Sequence, residues 1–280
     1  MANREGAAGQ RDRKTMQLTA ESRKRIRDLR AAIARTLARI DEIRQQEIPQ
    51  IKADYATKIG VWRTRLIKAE LAVRRAKRRN ALARMSTNQG KPVDTEAVTK
   101  QLDVEFFQWQ RRIARETRQL NDLLRWHSGM RPMGPAKSKE LNRLFRKLAR
   151  RFHPDLFPGD EERADYYAMA QNALAHGDLE LMRALDVATV DMVDDVDYSR
   201  LTVDELETEC ELLEDRLKAC TTRLDKLTST EPYTLRARLA DTEWVSATVN
   251  ALRTRVETCE REQGRYDEIY ERLAKGDRDQ

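Results

Sequence analysis

The chain has 280 residues, of which 36% are charged and only 6% aromatic, with ten Gly and seven Pro. It shows no alternating strand pattern of useful length, and its long periodic runs of Ala, Glu, Leu, Lys and Arg argue for long helices and coiled coils rather than one globular core. The net charge of +7 conceals a polarity: Met1–Gly90 carries 23 basic and 9 acidic residues, whereas Asp186–Gln280 carries 14 basic and 24 acidic. Opposite ends of opposite sign are expected to attract, within one chain or between subunits.

Residues 1–15 are polar and rich in Gly and Ala, and are expected to be disordered. Residues 16–127 read as a coiled-coil hairpin. Its first arm runs from Thr19 to Met85, with Ile26, Leu29, Ile33, Ile40 and Ile43 as one seam, and Pro49 is expected to kink or break it. The seam resumes through Ile51, Tyr55, Ile59, Trp62, Leu66, Ala69, Val73 and Ala76. A turn at Ser86–Pro92 leads into a return helix from Asp94 to Trp126, with Val98, Leu102, Phe106, Trp109, Ile113, Leu120 and Leu124 inward. This arm is shorter, so it pairs back only to the region just after Pro49.

After a linker at 128–137, residues 138–188 form a small helical module. From Lys139 the apolar positions Leu141, Leu144, Phe145, Leu148 and Phe152 share one helical face. Arg143, Arg146, Lys147, Arg150 and Arg151 fall largely on the other. Pro154 cannot donate a backbone hydrogen bond and pushes His153 out of the α region, so the helix ends there. His153 and Asp155 are thereby presented on a loop beside a cationic face, as a docking surface. A second helix follows from Glu161 to His176 with Tyr167, Ala170, Ala173 and Leu174 on one face. Gly177 is placed for its C-terminus, and Asp178 caps a short helix carrying Leu181, Met182 and Leu185.

The run E-L-x-x-L-F-R-K-L-A-x-x-F followed by His153-Pro154-Asp155 resembles the second helix and loop of a J-domain, the DnaJ-type co-chaperone module. The resemblance implies two antiparallel helices joined by that loop. It also implies that the basic helix docks on an acidic surface of a DnaK-class ATPase chaperone, with Arg143, Arg146, Lys147, Arg150 and Arg151 meeting it. Electrostatic complementarity would set the encounter rate. His153, Pro154 and Asp155 would then trigger ATP hydrolysis in the partner. The sequence departs from the family pattern in lacking its first helix, with its Tyr-x-x-Leu-Gly-Val pattern. Phe145 replaces the usual Tyr, and Asn142 and Leu156 stand where basic residues are usual.

An acidic linker at 189–200 precedes a second coiled-coil hairpin at 201–275. Leu206, Cys210, Leu213, Leu217, Cys220, Leu224 and Leu227 alternate by four and three. After a turn at Thr228–Pro232 the spacing repeats through Val245, Val249, Leu252, Val256, Cys259, Gln263, Tyr266, Tyr270 and Leu273. The second arm outruns the first, and the basic stretch before Pro49 is the expected cover for its overhang.

No His/Cys cluster has metal-ligand spacing, and there is no phosphate loop, nucleophile elbow or carboxylate pair in a plausible cleft. The chain is therefore read as not an enzyme, with no catalytic residues, no metal and no cofactor. Cys210, Cys220 and Cys259 form no C-x-x-C pair, no apolar run is long enough to span a membrane, and the N-terminus lacks a secretory apolar segment. A reducing, cytoplasmic setting is expected. Between Arg63 and Arg84 nine basic residues oppose Glu70 alone. Arg74, Arg75, Lys77, Arg78 and Arg79 there form a candidate anion or nucleic-acid patch. A solvated helix face, or pairing with the acidic C-terminal arm, is the favoured reading of that charge.

The expected architecture is all-α, with two long antiparallel helical hairpins flanking a J-domain-like module. The expected function is co-chaperone action on a DnaK-class ATPase, with coiled coils positioning a client or building a homo-oligomer. The alternative is a coiled-coil scaffold or nucleic-acid-binding protein whose J-like segment is structural.

Overall fold

A computed structural model describes residues 2–129, 133–192, 198 and 200–275. All regular secondary structure among them is helical, which makes the fold all-α. The helices are α1 (Ala2–Glu42), α2 (Ile48–Tyr55), α3 (Val61–Asn88), α4 (Thr95–Gly129), α5 (Pro135–Phe152), α6 (Glu161–His176), α7 (Leu179–Ala188), α8 (Val203–Ser229), α9 (Leu235–Ala240) and α10 (Thr242–Lys275). Part of each expected linker, 130–132 in the first and 193–197 and 199 in the second, lies outside the described residues. Helix α1 already begins at Ala2, inside the stretch expected to be disordered. Ala, Arg, Gln and Lys there are good helix formers and outweigh the two glycines.

Pro49 does not stop the helix. The turn before it, Ile43–Glu47, widens so that the Ile48 N–H reaches back to the Ile43 carbonyl, while Glu42 and Ile48 keep α-helical angles. A proline ring clashes with the carbonyl four residues earlier, here that of Gln45, and a wide turn is one way to relieve the clash without breaking the helix.

The chain divides into two compact units. The first comprises residues 1–49 and 132–234 and holds α1 and α5–α8. Its long helix pair is α1 against α8, with Ile26, Ile33, Ala34 and Leu37 facing Leu206, Cys210, Leu213 and Cys220. The Cys210 thiol lies 3.8 Å from the Ser22 carbonyl, and one turn further on Arg25 pairs with Glu214. Both positions advance together, so the two helices run parallel. Burial pushes both the Cys210 and the Cys220 thiol pKa up, so the pair serve as small seam hydrophobes rather than reactive thiols. Helices α5, α6 and α7 pack on one another around Phe145, Leu148, Ala170, Leu174 and Met182, and Ala38 of α1 joins that core.

The second unit comprises residues 50–131 and 235–280. Helix α4 returns antiparallel along α3: Leu82 packs with Val98 and Leu102, and Gly60 lies where a Cβ would come within 3.1 Å of Leu120. Helix α10 runs parallel to α3, with Glu70 accepting from Arg255 at 2.6 Å and Asn80 donating to the Tyr266 carbonyl at 2.7 Å. Asp241 starts α10 by accepting from the Glu243 and Trp244 amides at 2.9 and 3.0 Å.

The expected hairpin of 201–275 is corrected by this pairing. Helix α8 takes α1 as its partner and helix α10 takes α3, both in parallel. Charge favours these partners: the basic N-terminal helices offer Arg25 to Glu214, Arg65 to Glu260 and Arg79 to Asp267. The basic stretch before Pro49 does meet the acidic third, through α8 rather than through an overhang.

Candidate partner-docking site

Gly134 and Pro135 open α5, Pro at the first helical position being pre-set for a helix start. The helix ends as the His153 N–H donates to Ala149, with His153 itself extended (φ −59°, ψ 126°) as the following proline requires. The His153 carbonyl then accepts from Leu156 at 2.8 Å and Phe157 at 3.2 Å, which closes the loop tightly. Asp160 caps α6 by accepting from the Arg163 amide at 3.0 Å. Gly177, left-handed at φ 69°, ends α6. Asp178 caps α7 through the Leu181 amide at 2.9 Å. These stops and starts hold α5 and α6 side by side with the His153-Pro154-Asp155 loop between them.

Within that loop only Pro154 is exposed. His153 is 8% exposed and tilts against the Tyr167 ring at 4.6 Å. Its Nδ1 accepts the Asp155 N–H at 3.0 Å, so the neutral ring carries its proton on Nε2. Burial pushes the His153 pKa down; Asp155 and Asp41 oppose this, while Arg223 and Arg216 add to it.

On the basic face Arg143, Arg146, Lys147 and Arg150 are all exposed. Arg146 donates twice to Glu42 of α1, at 2.6 and 3.0 Å, and that carboxylate raises the guanidinium pKa. Lys147 reaches Asp186 of α7 at 2.9 Å. Arg151 is buried and donates to the Thr189 hydroxyl at 2.9 Å, so it is a structural residue rather than part of an open face.

Sequence reasoning missed Asp41 and Glu42. Asp41 is buried and accepts from the Tyr167 hydroxyl and, at 3.0 Å, from Gln171. Burial, then the Asp41 charge, pushes the Tyr167 pKa far up, so the phenol stays a donor. An acidic doublet between Ile40 and Ile43, inside an otherwise basic arm, was the available signal. The departure at Leu156 also gains a physical reason. Where the J-domain pattern has a basic residue, this side chain is buried with Ile26, Ile33, Leu206 and Cys220 in the α1–α8 seam. Arg30 holds the same spot, donating to the Leu156 carbonyl at 3.1 Å and lying 5.1 Å over the Phe157 ring.

The basic patch on α3 is largely occupied. Arg75 pairs with Asp103, and Arg78 makes two 2.8 Å bonds to Glu105, whose carboxyl the Arg78 hydrogen bonds hold down at about 2. Arg79 pairs with Asp267 and lies 4.2 Å over Tyr270, and Arg74 lies 5.2 Å over Trp109. Lys77 is exposed. Among the described residues no group of His, Cys, Asp and Glu is placed to hold a metal ion, and no helix is long and apolar enough to cross a membrane. The chain matches no family model, no curated protein and no solved structure.

Proposed function

We propose that the chain is a J-domain-type co-chaperone that docks on a DnaK-class chaperone and stimulates its ATP hydrolysis. The carrying observation is the tight His153-Pro154-Asp155 loop between α5 and α6, at the end of a helix that keeps Arg143, Arg146, Lys147 and Arg150 exposed. ATP belongs to the partner, and the chain itself performs no catalysis and carries no cofactor. The coiled coils position a client or a second copy. The free thiols of Cys210, Cys220 and Cys259 suit a reducing, cytoplasmic compartment.

A second reading has one observation in its favour: Leu156 and His153 are buried, which suits a coiled-coil scaffold whose J-like segment is structural. Nucleic-acid binding is the weaker form of that alternative, because carboxylates already pair with Arg75, Arg78 and Arg79. Single-turnover ATP hydrolysis by the host's DnaK-class chaperone separates these readings. Stimulation by the full chain that Asp155→Asn and His153→Gln remove supports the co-chaperone. Equal stimulation by wild type and both variants refutes it.

A further inference from the structure

We propose that α1 and α8 form a clasp over the J-like loop, so that the loop becomes accessible only when the clasp opens. As a control on chaperone stimulation, this rests on the co-chaperone reading; as a statement about access to the loop, it stands on geometry alone.

Three contacts close the clasp, and each uses a residue that a partner-facing loop would leave in water. Leu156 is anchored in the α1–α8 seam at 5% exposure. Arg30 of α1 ties down the backbone of the loop through the Leu156 carbonyl. Glu42 of α1 occupies two of the three donating nitrogens of Arg146, Nε and Nη2, as an acidic partner surface would. The last contact makes closure competitive rather than permanent. Arg146 remains 54% exposed, so the pair is open to water, to salt and to a rival carboxylate. A partner that needs the open form binds with an affinity reduced by the fraction of chains that are open.

The test uses the full-length chain in two opened forms: the double variant Asp41→Asn with Glu42→Gln, and separately Arg30→Ala, which removes the tie to the Leu156 carbonyl and leaves the Tyr167 network untouched. Amide hydrogen exchange at Leu156 and Phe157 reads loop access without any partner. Single-turnover hydrolysis by a DnaK-class chaperone reads the consequence. Slow exchange in the wild type, faster exchange in both variants and about tenfold more stimulation per molecule support the clasp and its control of activity. Faster exchange in the variants with no stimulation from any form leaves the clasp standing and removes the co-chaperone reading. Fast exchange in the wild type, or exchange unchanged in the variants, overturns the clasp. Stimulation that stays equal while exchange rises overturns its control of activity. Should the double variant lose helical circular dichroism, Arg30→Ala decides alone.

Discussion

Replacing Arg146 with Ala should destabilise the first unit through the carboxylate it abandons. Glu42 is 1% exposed and takes two hydrogen bonds from Arg146. Breaking a fully buried pair costs about 3–5 kcal/mol, whereas exposed pairs are worth about 0–1. Glu42 sits at the first limit, but Arg146 is half-exposed and Arg39 stays within 3.4 Å of the carboxylate. The expected loss is therefore about 2 kcal/mol, or about 1 M in urea midpoint for an m value near 2 kcal/mol/M. Trp62, Trp109, Trp126 and Trp244 all belong to the second unit, so their fluorescence reports that unit while far-UV circular dichroism reports both. Arg146→Ala should shift the dichroism transition and leave the fluorescence midpoint in place. In a Glu42→Gln background the same substitution should cost about 0.5 kcal/mol or less, because no buried charge is stranded. Additive effects of the two substitutions, or a shift below about 0.3 M, would refute the assignment of the pair as a buried contact.

Three further outcomes follow from the same structure. Because burial lowers the His153 pKa, the folded chain favours the neutral ring; stability is full above about pH 6.5 and declines as pH falls through that value toward the lower folded pKa. The midpoints of dichroism-monitored urea melts between pH 7.5 and 5 should show this decline, and His153→Gln should flatten it; an unchanged slope argues against the buried neutral ring. Asn80 is buried in the α3–α10 seam with its amide donating to Tyr266 and its Oδ1 unpartnered, so Asn80→Leu should raise the fluorescence-monitored stability by about 1 kcal/mol while loosening register. A loss of stability in that variant counts against the seam assignment. If the α3 patch binds nucleic acid at all, its paired arginines limit the log–log salt slope to about −2, measured by anisotropy; a slope of about −4 or steeper would show that the pairs open.

Much of this was legible along single helices. The face assigned to Tyr167, Ala170, Ala173 and Leu174 is the buried face of α6, and Gly177 and Asp178 end one helix and start the next as their chemistry requires. Partnership was legible only in part: the return of α4 on α3 and the attraction of the basic stretch before Pro49 for the acidic third were readable, but not which helix of that third it takes or in which direction. A four-three spacing says that Leu206 to Cys220 need cover, but not that the cover is α1, because heptads fix a stripe and leave direction to charge and connectivity. The loop after α5 shows the same limit. Pro154 announces where the helix stops, yet the burial of Leu156 depends on Arg30 and Ile26, which lie far away in sequence. Asp41 and Glu42 were hidden for a related reason: their use is visible only once Tyr167 and Arg146 stand opposite them.

The parallel pairing of early and late helices has a consequence for how the chain comes off the ribosome. Ser22 meets Cys210 across 188 residues, and Arg79 meets Asp267 across the same separation. At about 5–20 residues per second, the stripe of Ile26, Ile33 and Leu37 waits about 10–40 s for its partner to be made. During that interval α1 is an amphipathic helix with a bare apolar edge and a positive charge. A bare apolar stripe held for that long is the kind of surface that hydrophobic-binding chaperones take up.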